Sequence, residues 1–475
     1  MLYTPDMHTN GAEPLPIYSA LYEAVKRDIL AGKLRPNDRL PSIRTLAKHL
    51  SVSVTPVETA YQQLVAEGFA ESRPKRGYFV VPLPSPYGGL ALHGGESASL
   101  HQAGRSPVYD YDFHIAKNDF SVFPIEEWKR LLGQVLREQY QSLLFYGDAQ
   151  GEAGLRKELS FYLHRFRGVV CRPEQIVIAA EQHQLVHYLT LLLKSLPPVL
   201  ATENPCYPLI PAAFQSQSFR IAAVTEADSG ICYERLHESG AGVIALAPSH
   251  QFPGGRVMPY AERLDILNWS KSTGGFIIED DYGGEFRYQG QPVPALQGID
   301  PAANVVYLSG FSQVLAPDMC IHFMVLPEAL VEQFQALRRE LLFEGSSSRI
   351  LQRTLQLFME KGYYERHVRK MRTLYRKKSR LLAGLLQREF QEAGEAVPTD
   401  SGMHVLLKLN ASATETEMAA EARRNGLHIA EASLFYENGV SPGPENRFLI
   451  GFGGIPAERM EEGVQKLREI WETYL

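Results

Sequence analysis

Six short apolar runs constrain this chain more than anything else in it: QIVIA from 175, PVLATE from 198, GVIALAP from 242, GFIIED from 275, NVVYLSG from 304 and IHFMVLP from 321. Each has the length of one strand and is apolar on consecutive residues, so both of its faces need cover. Helix-like or polar segments separate the runs. That pattern is the mark of a mainly parallel sheet with helices on its two faces. The fold class is therefore α/β. Residues 328–388 read as long helices. The short strands HVLLKL and RFLIGFG that follow, mixed with helices, predict a smaller α+β lobe.

At 475 residues the chain exceeds one core, and about 150 residues per domain suggests two or three units. No apolar run approaches the roughly 18 residues of a membrane span, and no basic-then-apolar signal opens the chain. The expectation is a cytoplasmic protein with no membrane partner. Four widely spaced cysteines form no CxxC pair, which predicts reduced thiols and no metal.

Between 82 and 107 the composition turns to Pro, Gly and Ser, as in a linker. The predicted division is a module over 1–81, a linker over 82–107 and a body over 108–475. Charge divides the same way, with a net +2 in residues 1–81 and −8 in the remainder. A small basic module on an acidic body points to nucleic acid at one end only.

In the module, Ile17, Leu21, Val25 and Ile29 recur every four residues before Gly32, which predicts an amphipathic helix. PSIRTLAKHL predicts a second, with Ile43, Leu46, Ala47 and Leu50 inward and Arg44 and Lys48 outward. A third follows the turn SVS, with Val57, Tyr61, Leu64 and Val65 as its buried stripe. Its start reads either as a capping box on Thr55 to Glu58 with Pro56 at the first helical position, or as a cap by Ser53. FAESRPKRGYFVV then predicts a basic hairpin whose turn holds Arg73, Lys75 and Arg76, with Gly77 at positive φ. Three helices and a basic hairpin make a winged helix-turn-helix. Its third helix would enter the major groove of duplex DNA, and its hairpin would touch the backbone or minor groove.

LPSIRTLA, SVSVTPVETAYQQLVAEG and KRGYFV, in that order and spacing, resemble the GntR regulator family. The resemblance implies DNA contacts by Arg44, Ser53 and Thr55, and by Lys75, Arg76 and Gly77 of the wing. One position departs. Val54 stands where the family carries arginine, which removes a contact worth on the order of 1–3 kcal/mol.

FYGDAQGEAGLRKEL, ENPCYP, PSHQFPGG, IIEDDYGGEFRYQG and GYYERHVRKMRTLYRKK resemble fold type I aminotransferases. More closely, they resemble the MocR subfamily, in which such a body is fused to a GntR module. The resemblance implies a homodimer with a pyridoxal phosphate pocket at its interface. It implies Asp280, or alternatively Asp281, at the pyridine nitrogen, Tyr282 near the ring oxygen and Tyr207 as aromatic wall. Arg447 becomes a candidate carboxylate contact. The subfamily's imine lysine is here Gln313, its phosphate arginine is Cys320, and Glu181 replaces the glycine opening the phosphate-binding helix. A glutamine amide is no nucleophile, and a carboxylate repels a phosphate dianion. The expectation is a pocket without covalent cofactor, in which the Glu181 side chain itself caps the helix. Cys320 as a redox thiol is weighed against an inert one.

No G-x-S-x-G elbow supports hydrolase chemistry, and Ser249 and His250 would point different ways. The basic run Arg366 to Arg380 reads as a solvated or partly ion-paired helix with its charges on more than one face. The expected function is a sequence-specific, homodimeric transcription regulator that reads a duplex operator. Its body would be catalytically inert and sense a small molecule. The alternatives are a regulator or aminotransferase-like enzyme that keeps noncovalent pyridoxal phosphate, and a scaffold with both sites lapsed.

Overall fold

The computed structural model describes residues 16–82, 109–225, 230–288, 293–341, 345–399, 401–437, 439, 441 and 443–475. The linker expected at 82–107 lies almost wholly outside them. The chain divides into two compact units, residues 1–107 and 108–475.

In the first unit, α1 (Ile17–Leu30), α2 (Ile43–Leu50) and α3 (Val54–Ala66) precede the antiparallel pair β1 (Ala70–Arg73) and β2 (Gly77–Val80). Leu21, Val25, Leu46, Val57, Tyr61 and Leu64 form the centre of one core. Each such buried side chain contributes roughly 1.5–3 kcal/mol. Two residues of the expected stripes face water instead: Ile17 is 48% exposed and Val65 36%. Ile17 opens its helix with no turn before it to pack against, and Ala60 takes the inward place given to Val65.

The second unit opens with β3 (Tyr111–Asp112), α4 (Ile125–Leu143) and α5 (Ala153–Arg167). There follow β4 (Ile176–Ala179), α6 (Gln182–Leu192), β5 (Val199–Thr202), α7 (Leu209–Ser216), β6 (Arg220–Ala223), α8 (Tyr233–Ser239), β7 (Val243–Leu246), α9 (Tyr260–Thr273) and β8 (Phe276–Asp280). The short α10 (Leu296–Ile299) leads to β9 (Val305–Gly310) and β10 (His322–Val325). All six apolar runs are strands of one seven-stranded sheet, ordered β4-β10-β9-β8-β7-β5-β6. The block from β9 to β6 is parallel, and β10 is antiparallel to both its neighbours. Strand alternation explains the doubly apolar runs: Ile176 and Ile178 enter one core, Val177 and Ala179 the core on the other face.

Three helices, α11 (Glu328–Glu340), α12 (Arg349–Glu360) and α13 (Tyr363–Phe390), lead to the small lobe. There β11 (Gly394–Pro398), β12 (His404–Leu409), β14 (Ala430–Glu431) and β15 (Asn446–Gly451) form an antiparallel sheet ordered β11-β12-β15-β14. The lobe is completed by α14 (Glu415–Arg424), by β13 (Leu427–His428), which pairs in parallel with β3, and by α15 (Met460–Trp471).

Candidate functional site

In the module, Ser42 caps α2 by accepting from the Thr45 amide at 3.2 Å. The helix ends at Ser51 in the left-handed region, which turns the chain into α3. The N-cap of α3 is Ser53, without a side-chain bond, and Val54 is its first helical residue. The capping box on Thr55 is therefore not formed. Thr55 already lies inside the helix, and Pro56 sits third, where its missing N–H costs nothing because the first four amides have no helical partner. Ser53, Val54, Thr55, Glu58 and Thr59 are exposed together at the start of α3, and Arg44 is exposed on α2. This is the edge a recognition helix presents to base edges.

The wing turns through Lys75 at φ 58° and Gly77 at φ 100°. Lys75 and Arg76 project into solvent. Arg73, expected in the turn, ends β1 and folds back: it donates to Glu71 at 2.7 Å and to Asn37 at 3.0 Å, and covers the Phe79 ring at 4.4 Å. Its charge is thus held by the module itself. The double variant Lys75→Ala/Arg76→Ala should weaken binding about equally on operator and unrelated duplex. The slope of log affinity against log salt should fall by about 2. Fluorescence anisotropy across a salt series measures this, and an unchanged slope removes the wing from the interface.

In the body, the carboxyl ends of β5, β7 and β8 meet at a cleft lined by Glu203, Cys206, Tyr207, Phe252, Asp280 and Tyr282 among others. Its free volume is about 30 Å³, room for roughly one water. The run Glu279-Asp280-Asp281 is sorted by strand alternation, because neighbours on a strand point to opposite faces. Glu279 turns inward and accepts from the amides of Leu296 and Gln297 at 2.7 and 3.0 Å. Asp281 is 3% exposed and pairs with Arg167 through two bonds of 2.7 and 2.8 Å. Tyr307 also donates to it. Asp280 alone faces the cleft, where it accepts from Gln182 Nε2 at 3.0 Å.

Burial pushes the Asp280 carboxyl up to about 7 against the pull of Gln182. Glu203, which accepts from the Ala247 amide at 2.9 Å, is also pushed up to about 7, first by burial and further by Asp280. The Tyr282 hydroxyl is buried with no hydrogen-bond partner among the described residues. Tyr207 is half exposed, stacks on Phe435 at 6.2 Å and meets Phe252 edge-on at 6.2 Å.

Gln313 lies in the turn after β9. Its side-chain oxygen is buried without a partner and rests on Gly283, where an added Cβ would come within 2.5 Å of it. Glu181 is the N-cap residue of α6, and its side chain makes no capping bond. The carboxylate is exposed, with Oε1 3.9 Å from Cys320 Sγ. The expected self-capping does not occur, since caps suit Ser, Thr, Asp and Asn, whose oxygen lies closer to the backbone than that of glutamate. Cys320 sits in the left-handed region. Its thiol is pushed up by burial and by Glu181, which opposes the thiolate a redox role needs.

Arg447 on β15 donates to the Tyr436 hydroxyl at 3.1 Å. It shares a strand face with Leu449, which packs against Phe252. The fold thus gathers Tyr207, Asp280 and Tyr282 in the cleft, sets Gln313 beside them, and pairs Glu181 with Cys320 at the α6 terminus. Ser249 and His250 do diverge, Ser249 accepting from Arg167 at 3.0 Å and His250 meeting Ser401 at 2.5 Å. Gln182, Glu203, Phe252 and Phe435 were not singled out in the sequence. Glu203 carried a signal, a carboxylate closing the apolar run PVLAT at a strand's carboxyl end. Phe435 carried none.

Two family models match the chain: "Bacterial regulatory proteins, gntR family" over residues 17–80 and "Aminotransferase class I and II" over 113–467. An uncharacterized HTH-type transcriptional regulator of Bacillus subtilis (strain 168), YdeL, is 33% identical over 98% of both chains. The probable rhizopine catabolism regulatory protein MocR of Rhizobium meliloti is 29% identical, covering 96% of this chain and 93% of its own. Among solved structures, a Pyrococcus horikoshii kynurenine aminotransferase aligns over 77% of this chain and 91% of its own. Its TM-score is 0.68 at 21% identity, a likeness of fold.

Proposed function

Because the chain belongs to the gntR family of bacterial regulatory proteins, as a MocR-type member with a class I and II aminotransferase body, it is a DNA-binding transcription regulator, and we propose that the body is its sensor and performs no catalysis. One observation carries this reading. The cleft holds a buried, unpartnered Tyr282 hydroxyl beside Asp280 and Glu203, two carboxyls pushed up to about 7. Unsatisfied buried polar groups and raised carboxyls in a cleft are what a ligand completes.

Pyridoxal phosphate does not fit these residues. An imine needs an amine, and Gln313 supplies an amide whose oxygen is packed on Gly283. The phosphate end offers Glu181 and Cys320 in place of a cation. We therefore assign the cleft to a different small molecule, for which the half-exposed Tyr207 must swing aside to widen the one-water space, and give the body no covalent cofactor. Titration of the pure protein with pyridoxal phosphate tests this. The expected result is no imine band in the visible spectrum and no thermal stabilisation. A free-aldehyde spectrum with a raised Tm would favour noncovalent cofactor binding, for which the retained Asp280 and Tyr282 speak.

We also propose that the body dimerises. Leu136 and Tyr140 on α4, and Leu144 just past its end, recur every four residues and are 41%, 50% and 73% exposed. Phe145 and Tyr146 continue the stripe at 75% and 77%. The turn that presents them is held from behind, because Arg349 donates to the carbonyls of Ser142 and Phe145 at 2.6 and 3.1 Å and to Glu152 at 2.7 Å. A firmly held apolar stripe in water marks an interface.

A further inference from the structure

We propose that the outward face of α13 is a second contact for the phosphate backbone of duplex DNA, separate from the winged helix-turn-helix. Eight cations lie between Arg366 and Arg380, and the fold sorts them by use. Two turn inward: Lys378 is buried against Asp119 at 2.7 Å and the Gly453 carbonyl at 3.2 Å, and Arg372 donates to the Glu285 carbonyl at 3.0 Å. The other six, Arg366, Arg369, Lys370, Arg376, Lys377 and Arg380, are exposed.

At 100° per residue these six fall within an arc of about 120°. The eight cations do lie on more than one face, with Lys378 ion-paired inside, but the six exposed ones make one stripe. From Arg366 to Arg380 it runs about 21 Å, at 1.5 Å per residue. Arg366 lies over the Tyr363 ring at 4.5 Å. None of the six is joined to a carboxylate among the described residues, and the nearby Glu365 is turned to Arg165 at 3.6 Å. Outside the module the chain carries a net −8, so a line of six unpaired cations on it is a local concentration of charge against the trend.

Such a stripe fits a linear polyanion, and the duplex is the one this chain already holds. DNA bound by the module stays at high effective concentration for any other cation on the same polypeptide. Its strands offer a phosphate every 3.4 Å of axis, so about 21 Å spans some six phosphates of one strand. Neither Val54 nor Arg73 supplies a cation to the module's own interface, which raises the value of a second contact. The inference rests on the regulator reading only for the identity of the polyanion.

The full-length protein is titrated with a generic 60-base-pair duplex from low to moderate salt. Three forms are compared: wild type, the neutral variant Arg369→Ala/Lys370→Ala/Lys377→Ala, and the charge-keeping variant Arg369→Lys/Lys370→Arg/Lys377→Arg. With about 0.9 counterions released per neutralised phosphate, the neutral variant's salt slope should fall by about 2 to 3 and its affinity in low salt about tenfold or more. The charge-keeping variant should match wild type. Since all six side chains are exposed, the three forms should melt together. An unchanged slope in the neutral variant, or no duplex binding by wild type in low salt, overturns the proposal and leaves the stripe to an acidic protein surface. The Lys75→Ala/Arg76→Ala variant separates the two readings, because a stripe effect without a wing effect would sink the wing assignment and leave the stripe standing.

Discussion

Asp281→Ala should lower the stability of the body by about 3–5 kcal/mol at pH 5 and pH 8 alike, while Asp280→Asn, one residue away, should not destabilise it and should gain on wild type as pH rises from 5 to 8. The side chain of Arg167 is 2% exposed. It reaches Asp281 twice, Ser249 at 3.0 Å and the Gly284 carbonyl at 3.4 Å, so it ties the end of α5 to the loop after β8. Without Asp281 its charge is left buried and unpaired, which is the costly way to break such a pair. Asp280 has the opposite balance. Its carboxyl is raised from the usual 3.8 to about 7 because the ionised form is desolvated. The folded state therefore holds the proton more tightly than the unfolded one. Asp280 adds to stability as pH falls from about 7 toward 4 and withdraws that contribution as pH rises through 7. Asparagine removes this pH dependence and keeps a partner for Gln182. Urea denaturation of both variants at pH 5 and pH 8 reads the two effects. Equal losses in the two would mean that strand alternation has not separated a structural aspartate from a cleft aspartate.

That alternation marks the limit of what the sequence made legible. The six runs were readable as strands because a doubly covered sheet is apolar along most of both faces of its inner strands. β6 (RIAA) and β11 (GEAVP) were not, since an edge strand with small or charged residues has no apolar signature. The run EDDY advertised an acidic site, but only the register of β8 shows that Glu279 and Asp281 serve the scaffold and Asp280 the cleft. In the module the helices and the positive φ of Gly77 followed from pattern. The retreat of Arg73 onto Phe79 did not, because it depends on Asn37, 36 residues away. On α13 the same 3.6-residue period that sets the buried stripe also gathers the cations. The inward turn of Lys378 needed Asp119, 259 residues distant, to become visible.

Phe145→Asp should convert the protein from dimer to monomer at micromolar concentration. Phe145 is 75% exposed between Leu144 and Tyr146, both also more than 70% exposed, on a turn pinned by Arg349. Such exposure in a well-held segment costs the monomer nothing to mutate but places a carboxylate at the centre of whatever covers the patch. Loss of an aromatic anchor at an interface centre is worth about 2–4 kcal/mol, and an unpaired buried charge adds to it, so the dimer dissociation constant should rise by a factor of about 100 or more. DNA binding follows by avidity. A dimer engages two half-sites with the second event intramolecular, which is worth roughly 10²–10⁴ in affinity. Phe145→Asp should lose that factor on a fragment with paired half-sites and bind a single half-site as wild type does. The melting temperature of the isolated monomeric species should stay near that of wild type measured under dissociating dilution. Sedimentation equilibrium and anisotropy titration read the two quantities. If the variant remains dimeric, or wild type is itself monomeric at micromolar concentration, the α4 stripe has some other cover and the two-half-site geometry falls with it.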